Sequence, residues 1–196
     1  MSKKRVIMKK LAIAVTILVL GMGAQAQDTS SLSKREQRKL IKEEMQRQAD
    51  KEAERYAKLV DQMVKSATFV LEADMLYDRY GNSRMVQYSI NFISADSTRG
   101  VLQVGSNAYL GRNGVGGVTI DGAISSYEYT HNEKKGTYLV NYMLRSPVGS
   151  YDINMTIQSG GRADARVSGN LSSGSLRYSG RLVHPAKSRV FKGSSF

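Results

Sequence analysis

The chain has no cysteine and no tryptophan among its 196 residues, and only two histidines. Without a thiol there is no disulfide framework, no thiolate metal site, no cysteine nucleophile and no redox couple, so stability must rest on core packing and backbone pairing. The same absence removes the lipid-bearing cysteine that would tether a bacterial lipoprotein. His131 and His184 form no H-E-x-x-H and no other pair at metal-ligand spacing, and no serine occupies G-x-S-x-G. Neither a metal nor a cofactor is expected. No apolar run reaches the roughly 20 residues that a spanning helix needs.

The longest such run, residues 11–20, follows a basic start (Lys3, Lys4, Arg5, Lys9, Lys10) and precedes the small-residue site Ala24-Gln25-Ala26. This order is that of a secretory signal peptide, cleaved to leave Gln27 first. The expectation is export, to the periplasm or outside the cell, with no transmembrane segment after cleavage. The formal charge of +12 then falls to +7, because the five cations named above are discarded. With no zinc-finger spacing and no aromatic-basic RNA-binding motif, nucleic acid is not an expected partner. A modest attraction to anionic envelope polymers is compatible with the remaining charge.

After a polar leader, residues 27–32, Ser33-Lys34-Arg35-Glu36 matches the S-x-x-E capping box that opens a helix. The helix is expected over 33–65. Ile41, Met45, Ala49, Ala53, Tyr56, Val60 and Met63 recur at spacings of three and four and form one thin apolar stripe. Its first half is very polar, so only the second half is expected to pack, over an open end or edge of the downstream sheet.

From residue 66 to 196 the period changes to two, which defines a β domain. Phe69, Leu71, Ala73, Met75 and Tyr77 share one parity; so do Val86, Tyr88, Ile90 and Phe92, and a shorter strand covers 101–104. Later sets are Tyr138, Val140, Tyr142 and Leu144; Tyr151, Ile153, Met155 and Ile157; Ala163, Ala165 and Val167; and Leu176, Tyr178 and Leu182. Short turns rich in glycine separate them, too short for parallel crossovers. The fold class is therefore mainly β: an antiparallel meander of eight to nine strands forming a sandwich or partly open barrel, preceded by one amphipathic helix.

Gly105, Gly111, Gly114, Gly116, Gly117 and Gly122 crowd one stretch. Thr119 stands where G-x-G-x-x-G needs its last glycine, no G-K-[ST] follows, and the downstream residues are strand-like, so no nucleotide cradle is formed. A long connection with close backbone approach at Gly116-Gly117 and Gly122 is the simpler reading. As a ligand- or partner-facing loop it would work through Tyr109, Arg112, Asn113, Gly116 and Gly117, since long loops in compact domains are often functional. The second reading is a hydrolase using His131 or His184 with a nearby carboxylate. Ten of the eleven tyrosines lie beyond residue 66, and a curled sheet lined by them could hold a small amphipathic ligand.

The order of Gly116-Gly117, Gly122 and Tyr127, then Asn132-Glu133-Lys134-Lys135 and Tyr138, resembles an exported bacterial domain of unknown function, the family numbered 4251 of Bacteroides-type organisms. Gly149-Ser150-Tyr151-Asp152-Ile153, Tyr178-Ser179-Gly180-Arg181-Leu182 and the ending Ser188-Arg189-Val190-Phe191-Lys192-Gly193 extend the resemblance over residues 66–193. It implies an exported, mostly β domain and assigns no catalytic residues. Asp96-Ser97-Thr98 resembles the D-[ST]-x site at which some such bacteria glycosylate exported proteins, which marks Ser97 and Thr98 for modification. The leading expectation is a non-catalytic envelope protein that binds an envelope partner or a small ligand through the glycine loop or a concave sheet face.

Overall fold

A computed structural model describes residues 33–106, 114–169 and 174–195; the segment read as a signal peptide, and Tyr109, Arg112 and Asn113, lie outside them. The chain divides into two compact units, Met1–Asp50 and Lys51–Phe196. Helix α1 (Lys34–Lys65) contributes to both. At its start Ser33 N–H donates to Glu36 Oε2 at 2.8 Å and Glu36 N–H donates to Ser33 Oγ at 3.4 Å, the reciprocal bonds of a capping box. In the first unit every described residue is exposed. In the second, Val60, Met63 and Val64 are buried with the β core.

Among the described residues nine strands come after the helix: β1 (Thr68–Tyr77), β2 (Ser83–Met85), β3 (Phe92–Asp96), β4 (Arg99–Val104), β5 (Val118–Asn132), β6 (Thr137–Ser146), β7 (Gly149–Gln158), β8 (Arg162–Gly169) and β9 (Ser175–Val183). Every pairing is antiparallel, and β9 returns to pair with β1. The meander is therefore a closed eight-stranded barrel, β1-β3-β4-β5-β6-β7-β8-β9, and β2 is an extra short strand beside the far half of β1. Closure removes the sheet edges that a sandwich would leave.

Inward side chains fill the barrel. Phe69, Leu71, Ile93, Leu102, Ile120, Leu144, Ile153, Met155, Ile157 and Tyr178 are all essentially inaccessible. The final turns of α1 close one end, where Val64 O accepts from Tyr127 Oη–H at 2.7 Å and Tyr56 Oη–H donates to Leu182 O at 2.6 Å.

Two parts of the sequence pattern are overridden. Met75 and Tyr77 do not continue the inward set of β1; Leu76 does, because a bulge between Ala73 and Met75 reverses the parity. Residues 86–91 do not form a strand either, and Tyr88 is exposed. There the Asn91 side chain replaces ladder bonds: its Nδ2–H donates to Gln87 O at 3.0 Å and its Oδ1 accepts from Gly105 N–H at 3.0 Å.

Val70, Phe92 and Gln103 lie on strands with the opposite parity to the lumen set, yet are buried. The C-terminal segment covers this outer face. Gln103 donates to Ile90 O at 3.1 Å and Phe191 O at 2.9 Å, and accepts from Thr119 Oγ1–H at 3.0 Å and Gly193 N–H at 2.8 Å. A buried amide with all four bonds made fixes the position of the tail. Asp121 strengthens the attachment through Lys192, while also meeting Arg99 at 2.6 Å. Burial alone would raise its pKa, but these two cations outweigh that and hold it below the ordinary carboxylate value.

The seam between β1 and β9 is close-packed at Gly180, where a Cβ would lie 1.9 Å from Glu72 O and 2.7 Å from Ala73 Cα. Gly180→Ala is expected to lower unfolding free energy by about 1–3 kcal/mol in urea titration, because the strands must separate to accept the methyl group. Gly160→Ala, where a Cβ meets nothing within 4 Å, should change it by less than about 0.5 kcal/mol.

Candidate functional site

Strand direction assigns each connection to one end of the barrel. The turns after β3, β5 and β7 lie at the α1 end. The β1–β2 and β6–β7 turns lie at the other, as do the end of β4, the start of β5, the end of β8 and the start of β9. Gly116 and Gly117 are thus placed at the open end. Gly116 has φ +70°, and a Cβ on Gly117 would lie 2.0 Å from Val104 O, so both need glycine for backbone reasons. Gly122 makes a similar approach, 2.2 Å from Arg145 O, inside β5. Ser97 and Thr98 form the exposed β3–β4 turn at the α1 end, with Ser97 at φ +43°.

Neither histidine has a dyad around it. His131 stacks on Tyr138 with ring centroids 4.1 Å apart and 3° between planes. His184 Nδ1 accepts from Ala186 N–H at 3.2 Å and so caps the short 3₁₀ turn Pro185–Lys187. Among the described residues no carboxylate hydrogen-bonds to either imidazole, and no group of three His, Asp or Glu side chains could hold a metal ion. Asp61 instead pairs with Lys65 at 2.8 Å and accepts from Tyr138 Oη–H at 3.0 Å. The Lys65 bond, opposed by burial and aided by Tyr138, holds the Asp61 carboxyl below its ordinary pKa. Burial first, and then Asp61, pushes the Tyr138 phenol up to about 12. These contacts lock α1 onto the barrel.

Tyr138, Tyr142, Tyr151 and Tyr178 are buried as the pattern predicts. They are part of the packed core. Tyr178 Oη–H donates to Gln103 O at 3.2 Å, whereas among the described residues the buried Tyr142 hydroxyl and Ser125 Oγ find no hydrogen-bond partner. Burial drives the Tyr142 phenol pKa strongly upward.

A cleft of about 270 Å³ opens on the outer face at the open end, lined by Tyr77, Asp78, Arg79, Arg166, Ser175 and Arg177. Its floor is one register row, in which Tyr77 faces Arg177 across β1–β9 and Arg177 faces Arg166 across β8–β9. The Arg177 guanidinium lies 3.9 Å from the Tyr77 ring centroid, and Arg166 Nη2–H donates to Ser175 Oγ at 3.4 Å. The bulge creates this row, because only the reversed parity turns Tyr77 outward under Arg177. Asp78 supplies the turn that forms the rim: Oδ1 accepts from Tyr80 N–H at 2.8 Å and Asn82 N–H at 2.9 Å, and Oδ2 from Asn82 Nδ2–H at 2.7 Å. The Asn82 side-chain bond is the main reason its pKa is lowered. Alternation places Arg166 and Arg177 on an outer face in the sequence, but nothing there reveals that they share a row with Tyr77 and a rim with Arg79.

The fold and its surface define a closed antiparallel barrel with a helical plug and a cationic cleft at the opposite end. A family model described as Domain of unknown function (DUF4251) matches residues 51–182, and the chain belongs to this family. A crystal structure of a DUF4251 family protein from Bacteroides eggerthii is 30% identical with a TM-score of 0.58, covering 72% of this chain and 95% of that one. No match was found among curated proteins. No helix among the described residues is long and apolar enough to cross a membrane.

Tyr142→Phe is expected to leave stability unchanged or raise it by up to about 1 kcal/mol, because it deletes an unpartnered buried hydroxyl. Tyr138→Phe should cost about 1 kcal/mol, and chemical denaturation of both variants separates the two roles. The Asp61 contribution carries a pH signature. Its lowered folded-state pKa means that the stabilisation is present above the unfolded value and is lost as pH falls through the folded one. The difference in melting temperature between wild type and Asp61→Asn should therefore shrink below about pH 4.

Proposed function

We propose that this is an exported, non-catalytic envelope protein whose barrel serves as a rigid mount for a binding surface at the end remote from α1. One observation carries the reading: the lumen is filled by its own side chains and closed by α1, while Gly116, Gly117 and the arginine cleft all lie at the opposite end. Binding through a concave inner face would require that packed core to be displaced. A surface site requires nothing to move. Tyr109, Arg112 and Asn113 belong to the same connection as Gly116 and Gly117 and are proposed to contact the partner or ligand. Export rests on the order of charge, apolar run and cleavage site at the start of the chain.

Native mass spectrometry of the protein purified from its own host's envelope tests this. The expected result is a reproducible added mass that the combined Tyr109→Ala, Arg112→Ala and Asn113→Ala variant no longer retains, with an unchanged melting temperature. A bare monomer, or an added mass indifferent to all three changes, would count against this end as the binding surface. Peptide mapping separates covalent mass on Ser97 or Thr98 from a molecule held by the fold.

A further inference from the structure

Resting on that reading of the open end, we propose that the cleft between β1, β8 and β9 binds a doubly charged oxyanion: phosphate, free or as a monoester. Arg79, Arg166 and Arg177 line it, and Asp78 is the one carboxylate in the lining. Both Asp78 oxygens are engaged by the turn that they organise. Three guanidinium charges against one carboxylate leave a local excess of two. Among the described residues none of the three arginines is ion-paired.

The same sheet face supplies an internal comparison. Arg162 faces Arg181 across β8–β9, just as Arg166 faces Arg177. The first pair is compensated: Arg162 Nη1 meets Asp74 Oδ2 at 3.0 Å, its Nη2–H donates to Ser179 Oγ at 3.2 Å, and Glu72 stands opposite Arg181. The second pair has no acid opposite it: Arg166 faces Asn154 on its other side and Arg177 faces Tyr77, and among the described residues Asp164, two positions before Arg166 on the same face, is not ion-paired with either. Like charges directly opposite destabilise a sheet, so the Arg166–Arg177 row is the costlier arrangement until an anion joins it.

Its geometry suits that role. Guanidinium groups present paired N–H donors in a fixed plane that matches the oxygens of phosphate. Arg177 is held by the Tyr77 face and Arg166 by Ser175, so two of the three forks are ordered before a ligand arrives. Arg79 lies on the turn above them, its guanidinium 4.6 Å from the Tyr80 ring centroid. A monoanion would leave one charge uncompensated, whereas a phosphate dianion balances the excess.

Isothermal titration with inorganic phosphate and with glycerol 3-phosphate, at fixed ionic strength and with acetate as the singly charged control, tests the assignment. Saturable binding of at least one phosphate species is expected, weaker for acetate, and weakened at least about tenfold by Arg166→Gln or Arg177→Gln. Preference for the ester assigns the site to a phosphorylated molecule; equal or better binding of inorganic phosphate assigns it to the free ion. At low salt without phosphate, the same substitutions should raise the melting temperature by about 1–4 °C, while Arg162→Gln, which breaks a compensated pair, should not. Absence of saturable phosphate binding, or binding unchanged in both Gln variants, overturns the proposal. If the native protein nevertheless retains a mass that depends on the glycine loop, the broader reading of the open end survives that failure.

Discussion

Pairing of β9 with β1 is the constraint on which the rest of the molecule depends. An open meander with one apolar face would expose its core along two edges, and this chain has no disulfide to hold such a sheet together. Closure turns that apolar face into a lumen and leaves its two mouths to be managed separately. At one mouth α1 inserts Val60, Met63 and Val64. The seam can close only because residue 180 is glycine, which allows β9 to approach the backbone of Glu72 and Ala73. Immediately beyond that contact β1 bulges, exchanges β3 for β2 as its neighbour on the other side, and turns its remaining side chains over.

The bulge therefore links packing to surface chemistry. It sends Leu76 inward to finish the core and Tyr77 outward to support Arg177. A regular strand would have reversed these positions and removed the aromatic floor of the cleft. The opposite flank is secured differently, by a polar hub in place of apolar burial. Gln103 fastens the C-terminal segment over Val70 and Phe92, and Glu72 accepts from Ser188 Oγ–H at 2.6 Å and Arg189 N–H at 3.3 Å. Because an unmatched buried amide is costly, this network favours one position of the tail over many.

Much of the barrel is legible as alternation. Strands β6 to β8 follow it because each is regular and buries one face; Tyr138 to Leu144, Tyr151 to Ile157 and Ala163 to Val167 fall inward without exception. The pattern misleads where local hydrogen bonding departs from the ladder. Val86, Tyr88, Ile90 and Phe92 alternate well enough, yet the side chain of Asn91 diverts the backbone into a turn. In space the acids are unevenly shared: Asp74 serves Arg162 and Asp121 serves Arg99 and Lys192, leaving Arg166 and Arg177 to face each other.

The sequence by itself determined the antiparallel class, the helix start at Ser33 and the need for glycine near residues 116–122, because each depends on neighbours a few positions apart. Family membership was also readable in the order of short motifs. Only the tertiary structure decided that the sheet closes, which end α1 fills, where β1 changes parity, and which cations are left without an acid. Those outcomes depend on pairings between residues far apart in the chain, such as Tyr77 with Arg177. Register across a closed seam is set by the whole circuit of strands, and no local period encodes it.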